Sequence, residues 1–135
     1  MNEKNSVLIV DDDTASLMEL NHILRTEYKI HVVKDGKTAL EKANECLPDI
    51  ILLDIVMPDM SGFEVLAKLK GSEKTRSIPV IFITGATESH DEIKGLAAGA
   101  VDYIRKPFNE MIVKLRVRNE IQILNELRRV KNGIF

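Results

Sequence analysis

Residues 50–66 read IILLDIVMPDMSGFEVL, and this stretch decides the fold. Four apolar residues, Ile50 to Leu53, run straight into one acid, Asp54. A continuous, β-branched run of this length suits a parallel strand buried on both faces. Met57-Pro58 and Asp59-Met60-Ser61-Gly62 then break the chain. Ser61-Gly62-Phe63-Glu64 has the capping-box pattern that opens a helix, with Ser61 as N-cap. Phe63, Val65, Leu66 and Leu69 carry the helical period that follows. An unpaired carboxylate is costly to bury, so Asp54 belongs at the strand tip rather than inside the core.

The same alternation recurs along the chain. Val7–Val10, Ile78–Ile83 (broken only by Pro79) and the weaker Val101–Ile104 are further apolar runs, and Ile30–Val33 is a less apolar one. Between them lie segments of helical period. Ala15, Leu17, Met18, Leu20, Ile23 and Leu24 mark the first, with Thr14 as N-cap. Ala39, Leu40, Ala43 and Leu47 mark the second, and Ile93, Leu96, Ala97 and Ala98 the fourth. The fifth runs from Asn109 to Lys131. Five strand–helix alternations predict a doubly wound parallel α/β sheet.

Composition bounds the function. The 135 residues carry a net charge of −2, with 44% hydrophobic and 30% charged side chains. That suits one compact domain with an appendage. Near-neutral charge gives no electrostatic case for nucleic acid or an anionic membrane. No apolar run approaches the roughly 20 residues a membrane span needs, and the N-terminal run is too short for a signal peptide. One cysteine, Cys46, leaves no intrachain disulfide, and a cytoplasmic location is the default. Cys46 reads as a packing residue. His22, His31 and His90 are scattered without zinc spacing.

In a doubly wound sheet, ligands bind at the carboxyl ends of the strands. Those ends carry Asp11-Asp12-Asp13, Lys34-Asp35-Gly36, Asp54, Thr84-Gly85 and Lys106-Pro107. Clustered carboxylates repel, and a hard divalent cation with oxygen preference relieves them. A carboxylate beside such a cation, a lysine and a hydroxyl suits phosphoryl transfer, with the carboxylate as nucleophile.

Four motifs now stand in order: LIVDDD (8–13), ILLDIVMPDMSGFE (51–64), VIFITG (80–85) and GAVDYIRKPF (99–108). Together they resemble the response-regulator receiver domains of two-component signalling, over about residues 6–120. The resemblance implies a CheY-like, flavodoxin-like (βα)5 fold with strand order 2-1-3-4-5. It implies a receiver domain over 1–120, with 121–135 extending the fifth helix. It implies that Asp54 accepts a phosphoryl group from the phosphohistidine of a sensor histidine kinase or phosphotransfer protein. Asp11 and Asp12 match the acidic pair that holds Mg²⁺, for which Mn²⁺ can substitute. The backbone carbonyl of Val56 matches a further ligand position. Thr84 matches the hydroxyl that bonds the phosphoryl group, Lys106 the family's lysine and Tyr103 its aromatic switch. The output is a shift of the face formed by helix 4, strand 5 and helix 5, read by an output domain or target protein. Asp13 has no role in this pattern. Val56 and Ala86, where relatives tune hydrolysis, are both apolar, which implies slow self-dephosphorylation.

Other readings compete. A phosphatase with an aspartyl nucleophile carries a second acid two residues on, and Val56 stands there. A pseudo-receiver would not need all five chemical residues. A flavodoxin-type cofactor binder needs a glycine-rich cradle that the acidic first loop lacks. Gly95 and Gly99 mark either a soft fourth helix or a close-packing contact and a C-cap. In the tail, Val113, Val117, Leu124 and Leu127 follow 3/4 spacing, with Ile121, Ile123 and Val130 alongside. A coiled-coil linker or dimer helix is the favoured reading, and a terminal helix folded back on its own domain is the alternative. A homodimer through helices 4 and 5 is the other self-association the resemblance implies.

Overall fold

The computed structural model describes residues 4–85 and 89–133, with the side chains of residues 89–93 outside that description. Its elements alternate as expected: β1 (Ser6–Val10), α1 (Thr14–Leu24), β2 (Lys29–Val33), α2 (Gly36–Cys46), β3 (Ile50–Asp54), α3 (Gly62–Lys70), β4 (Val80–Thr84), α4 (Ser89–Ala98), β5 (Asp102–Arg105) and α5 (Glu110–Lys131). The five strands form one parallel sheet in the order β2-β1-β3-β4-β5. This is the flavodoxin-like arrangement, ending in a long helix.

The two faces of the sheet bury separate cores. Val7, Ile9, Ile50, Leu52, Ile81 and Ile83 point to the side covered by α1 and α5. Leu8, Val10, Ile51, Leu53, Val80 and Phe82 point to the side covered by α2 and α3. Because consecutive residues of a strand face opposite ways, β1, β3 and β4 are apolar along their length, with polar residues only at their ends: Ser6, Asp54 and Thr84. β2 is an edge strand, and Val32 stays about half exposed there.

Several local expectations are corrected. Asp13, not Thr14, caps α1: its carboxylate accepts the Ala15 N–H at 3.3 Å and the Ser16 hydroxyl at 2.9 Å. A carboxylate reaches two donors of the first turn, so Thr14 becomes the first helical residue. Leu47 leaves the helical pattern and takes a left-handed cap with φ 46° after α2. Pro79 lacks an N–H, and β4 starts after it, at Val80. β5 starts one residue later than expected, at Asp102. Met18 on α1 and Leu96, Ala97 and Ala98 on α4 face solvent rather than the core. The sheet-facing position of α4 is Gly95, because a Cβ there would stand 2.5 Å from Phe82 Cδ2. That supports the close-packing reading of Gly95. The core position expected at Ile93, like Ala86, lies outside the described residues.

α5 packs Val113, Val117 and Ile121 into the core. Each such burial contributes about 1.5–3 kcal/mol. Beyond that point Ile123, Leu127 and Val130 are more than half exposed. The distal turns are nonetheless held, since Arg128 Nη2 reaches Asp49 Oδ1 at 2.7 Å. Burial raises the Asp49 carboxyl, but the Ser6 N–H and the Arg128 guanidinium outweigh it and hold it below its ordinary range.

Candidate functional site

Parallel strands all end on one edge of the sheet, so the five loops at their carboxyl ends meet. β1 delivers Asp11, β3 delivers Asp54, β4 delivers Thr84, and Lys106 follows directly on β5. Asp12 follows Asp11 into the loop and stays exposed, while Asp11 and Asp54 are buried. Carboxylate oxygens of Asp11, Asp12 and Asp54 lie within 4.8 Å of one another. A cleft of about 330 Å³ opens beside them, lined by Asp12, Asp54, Val56, Thr84 and Lys106 among others.

The electrostatics follow from this crowding. Burial is the largest influence on Asp54, and the neighbouring charge of Asp11 adds to it. Lys106 opposes both, yet the Asp54 carboxyl is pushed up to about 7. Lys106 Nζ sits 3.0 Å from Asp11 Oδ2 and 3.9 Å from Asp54 Oδ2. Burial works against the ammonium charge, but bonding to Asp11 and the charges of Asp54, Asp11 and Asp13 hold its pKa above the ordinary value. Asp11 Oδ1 is positioned by the Asp13 N–H at 2.9 Å, and Asp54 Oδ1 accepts the Val56 N–H at 3.4 Å.

Among the described residues, Asp11 Oδ2, which pairs with Lys106, and Thr84 Oγ1 are buried without an aligned hydrogen-bond partner. Buried polar atoms are ordinarily satisfied, and a bound ion or an ordered water would complete these two. Three clustered carboxylates, two of them paired with one lysine, leave negative charge that a hard cation would offset. The donor set of Asp11, Asp12 and Asp54 therefore fits Mg²⁺, with the Val56 carbonyl in the adjoining loop.

Tyr103 is not in this cleft. It is half-buried on β5 and packs against the α2–α3 core. The Arg105 and Arg116 guanidinium groups lie 5.5 Å and 5.4 Å from its ring centroid. Arg116 is itself held by both oxygens of Asp102, at 2.8 Å and 2.9 Å.

Asp13, Gly62 and Asp59 shape this edge; the sequence reading assigned Gly62 to the loop and helix start and missed the other two. Asp13 positions α1, and its Asp-x-x-Ser16 spacing was a readable cap signal. Gly62 lets the loop after Asp54 close, since a Cβ there would stand 2.5 Å from the Asp54 carbonyl oxygen. Asp59 accepts the N–H groups of Gly36 and Lys37 at 3.1 Å each. Its partners lie more than twenty residues away in sequence, so no local pattern announces it.

Comparisons with known proteins agree with this geometry. Residues 7–118 match the family model described as the response regulator receiver domain. The response regulator PleD of Caulobacter vibrioides is 43% identical over 126 residues, covering 90% of this chain and 28% of that protein. A probable cyclic di-GMP phosphodiesterase of Vibrio cholerae is 42% identical over 117 residues, covering 87% of this chain and 26% of that protein. The chain thus spans about a quarter of the length of these relatives. Among solved structures, a CheY-like receiver domain protein of Methanospirillum hungatei superposes with a TM-score of 0.83 at 30% identity, covering 92% of this chain and 98% of that one.

Proposed function

The chain belongs to the response regulator receiver domain family, and from that premise we propose that it is a phosphorylation switch in which Asp54 is the phosphoacceptor. The observation that carries this reading is the meeting of three carboxylates and one lysine beside a cleft that the Thr84 hydroxyl also lines. The donor is a phosphohistidine, presented by a sensor histidine kinase or phosphotransfer protein.

An Asp54 carboxylate oxygen attacks phosphorus as the P–N bond breaks. The electron pair returns to the imidazole nitrogen, which takes up a proton. The product is an aspartyl phosphate. Asp11, Asp12, Asp54 and the Val56 carbonyl would hold a divalent cation, which when bound supplies charge neutralisation for the phosphoryl oxygens. Lys106 supplies a second positive charge, 3.9 Å from Asp54 Oδ2. The Thr84 hydroxyl, buried without a hydrogen-bond partner among the described residues, donates to a phosphoryl oxygen.

The switch then works by population shift. Thr84 moving toward the phosphoryl group vacates space beside β4 and β5. Tyr103, with two guanidinium groups near its ring, turns inward and alters the α4–β5–α5 face. Residues 121–135 carry that change along α5 to an output module, or to a second copy of the chain through Ile123, Leu127 and Val130. Val56 is 64% exposed at the cleft mouth and offers no group to orient an attacking water, so the phosphoryl group is long-lived.

Intact mass spectrometry after incubation with a small phosphodonor tests this. We expect a gain of one phosphoryl group that requires Mg²⁺, is lost at alkaline pH and persists beyond minutes at neutral pH. No gain with any donor supports the pseudo-receiver reading instead.

A further inference from the structure

The turn between β2 and α2 carries none of the chemical residues, yet it touches both loops that do. On one side, the Lys34 ammonium donates to the Thr14 hydroxyl at 2.7 Å, beside the segment bearing Asp12. On the other, Asp59 Oδ1 accepts the Gly36 N–H and Oδ2 the Lys37 N–H. These N–H groups belong to the first turn of α2, where intrahelical acceptors are lacking and negative charge is favoured. The Asp35 side chain accepts from Thr38 at 2.7 Å, so the helix start is satisfied by acids from two different loops. The Gly36 bond, foremost, holds the Asp59 carboxyl below its ordinary range.

A second contact joins the same two segments. A Cβ on Gly36 would run into Met60 Cγ, so Met60 lies directly against the turn. Asp59 and Met60 belong to the β3–α3 loop that also carries Val56. That loop closes on itself through the Gly62 N–H to the Ile55 carbonyl, at 2.7 Å. Asp59 is exposed and buries no apolar surface, so its hydrogen bonds are what it contributes.

We propose that Asp59 is a positioning residue for the phosphoacceptor site: by gripping the first turn of α2 it holds the β3–α3 loop so that the Val56 backbone and the Asp54 carboxylate face a divalent cation together. This rests on the phosphoacceptor reading above. The β2–α2 turn is then a tie between the two cation-facing loops rather than a passive connection.

The test is Mg²⁺ affinity by calorimetry on the full chain, with thermal stability measured alongside. The proteins are wild type, Asp59→Ala, Asp59→Asn and Asp35→Ala. Asp35→Ala weakens the same helix start without touching the β3–α3 loop. We expect Asp59→Ala to raise the Mg²⁺ Kd about fivefold, below the ~10–100-fold typical of groups that bond a ligand directly. Asp59→Asn, which keeps one carbonyl acceptor, raises it about twofold by the same scale. Asp35→Ala lowers the Tm and leaves the Kd unchanged. An unchanged Kd in Asp59→Ala, or an equal rise in Asp35→Ala, overturns this inference alone. A wild type that binds no Mg²⁺ overturns the phosphoacceptor reading, and this inference with it.

Discussion

Asp54 is a carboxylate that the fold makes uncomfortable. Burial and the charge of Asp11 raise its pKa to about 7, against an ordinary value near 3.8. The sign of the consequence is fixed. Its folded pKa exceeds its unfolded one, so its contribution to stability is full below about pH 4 and is lost as pH rises through about 7. Metal-free protein therefore loses stability between these values. Asp54→Asn removes that slope and is more stable than wild type above pH 7, by on the order of 2–4 kcal/mol. Urea denaturation in chelator at pH 5 and pH 8 checks this, and Mg²⁺ should stabilise wild type far more at pH 8. An equal response of both proteins to pH would contradict the account of Asp54. Asp54, Lys106 and the acidic pair were legible in sequence because each stands at a strand tip, where a short apolar run ends in a charge. Asp13 was legible in principle and was overlooked because Thr14 beside it is also a good cap.

Elements with strong periodicity were read correctly, and the errors fall where one residue's packing overrides the pattern. α3 begins at its capping box, with the Ser61 hydroxyl accepting the Glu64 N–H at 3.2 Å and the Glu64 carboxylate returning to the Ser61 N–H at 3.4 Å. α4 is different. Its apolar residues Leu96, Ala97 and Ala98 suggested a core face, yet they point outward. The ring of Phe82, packed edge-on against Phe63 at 5.3 Å between centroids, fills the space beneath the helix. Only a glycine fits over it. Gly95→Ala gains about 1 kcal/mol of helix propensity. It forces overpacking worth about 1–3 kcal/mol, so we expect net destabilisation of roughly 0–2 kcal/mol. Phe82→Leu in the same background should recover most of that loss. Denaturation of the single and double variants checks this, and a stabilised Gly95→Ala would contradict the packing.

At the scale of the whole molecule, α5 joins the carboxyl-end edge of the sheet to its opposite end. It starts beside Lys106 and Tyr103, where the Lys106–Pro107 peptide is cis, and it reaches Asp49 just before β3. The sequence disclosed the length of this helix but not its tether, because Arg128 and Asp49 lie 79 residues apart. Half-exposed ion pairs contribute about 0–1 kcal/mol, so Arg128→Ala should scarcely change global stability. It should speed amide hydrogen exchange over residues 122–131 while leaving residues 111–120 protected. Uniform exchange along α5 in both proteins would show that the tether does nothing. No helix among the described residues is long and apolar enough to cross a membrane, and the fold, the family and the cleft agree on a signalling module.

The central claim is that Asp54 takes the phosphoryl group. Borohydride reduction of the protein after incubation with a small phosphodonor and Mg²⁺, followed by peptide mass mapping, tests it most directly, because an aspartyl phosphate is reduced to homoserine where it forms. The account predicts homoserine at position 54, dependent on donor and Mg²⁺, and none in Asp54→Asn. Homoserine at another aspartate, or at none, would contradict it.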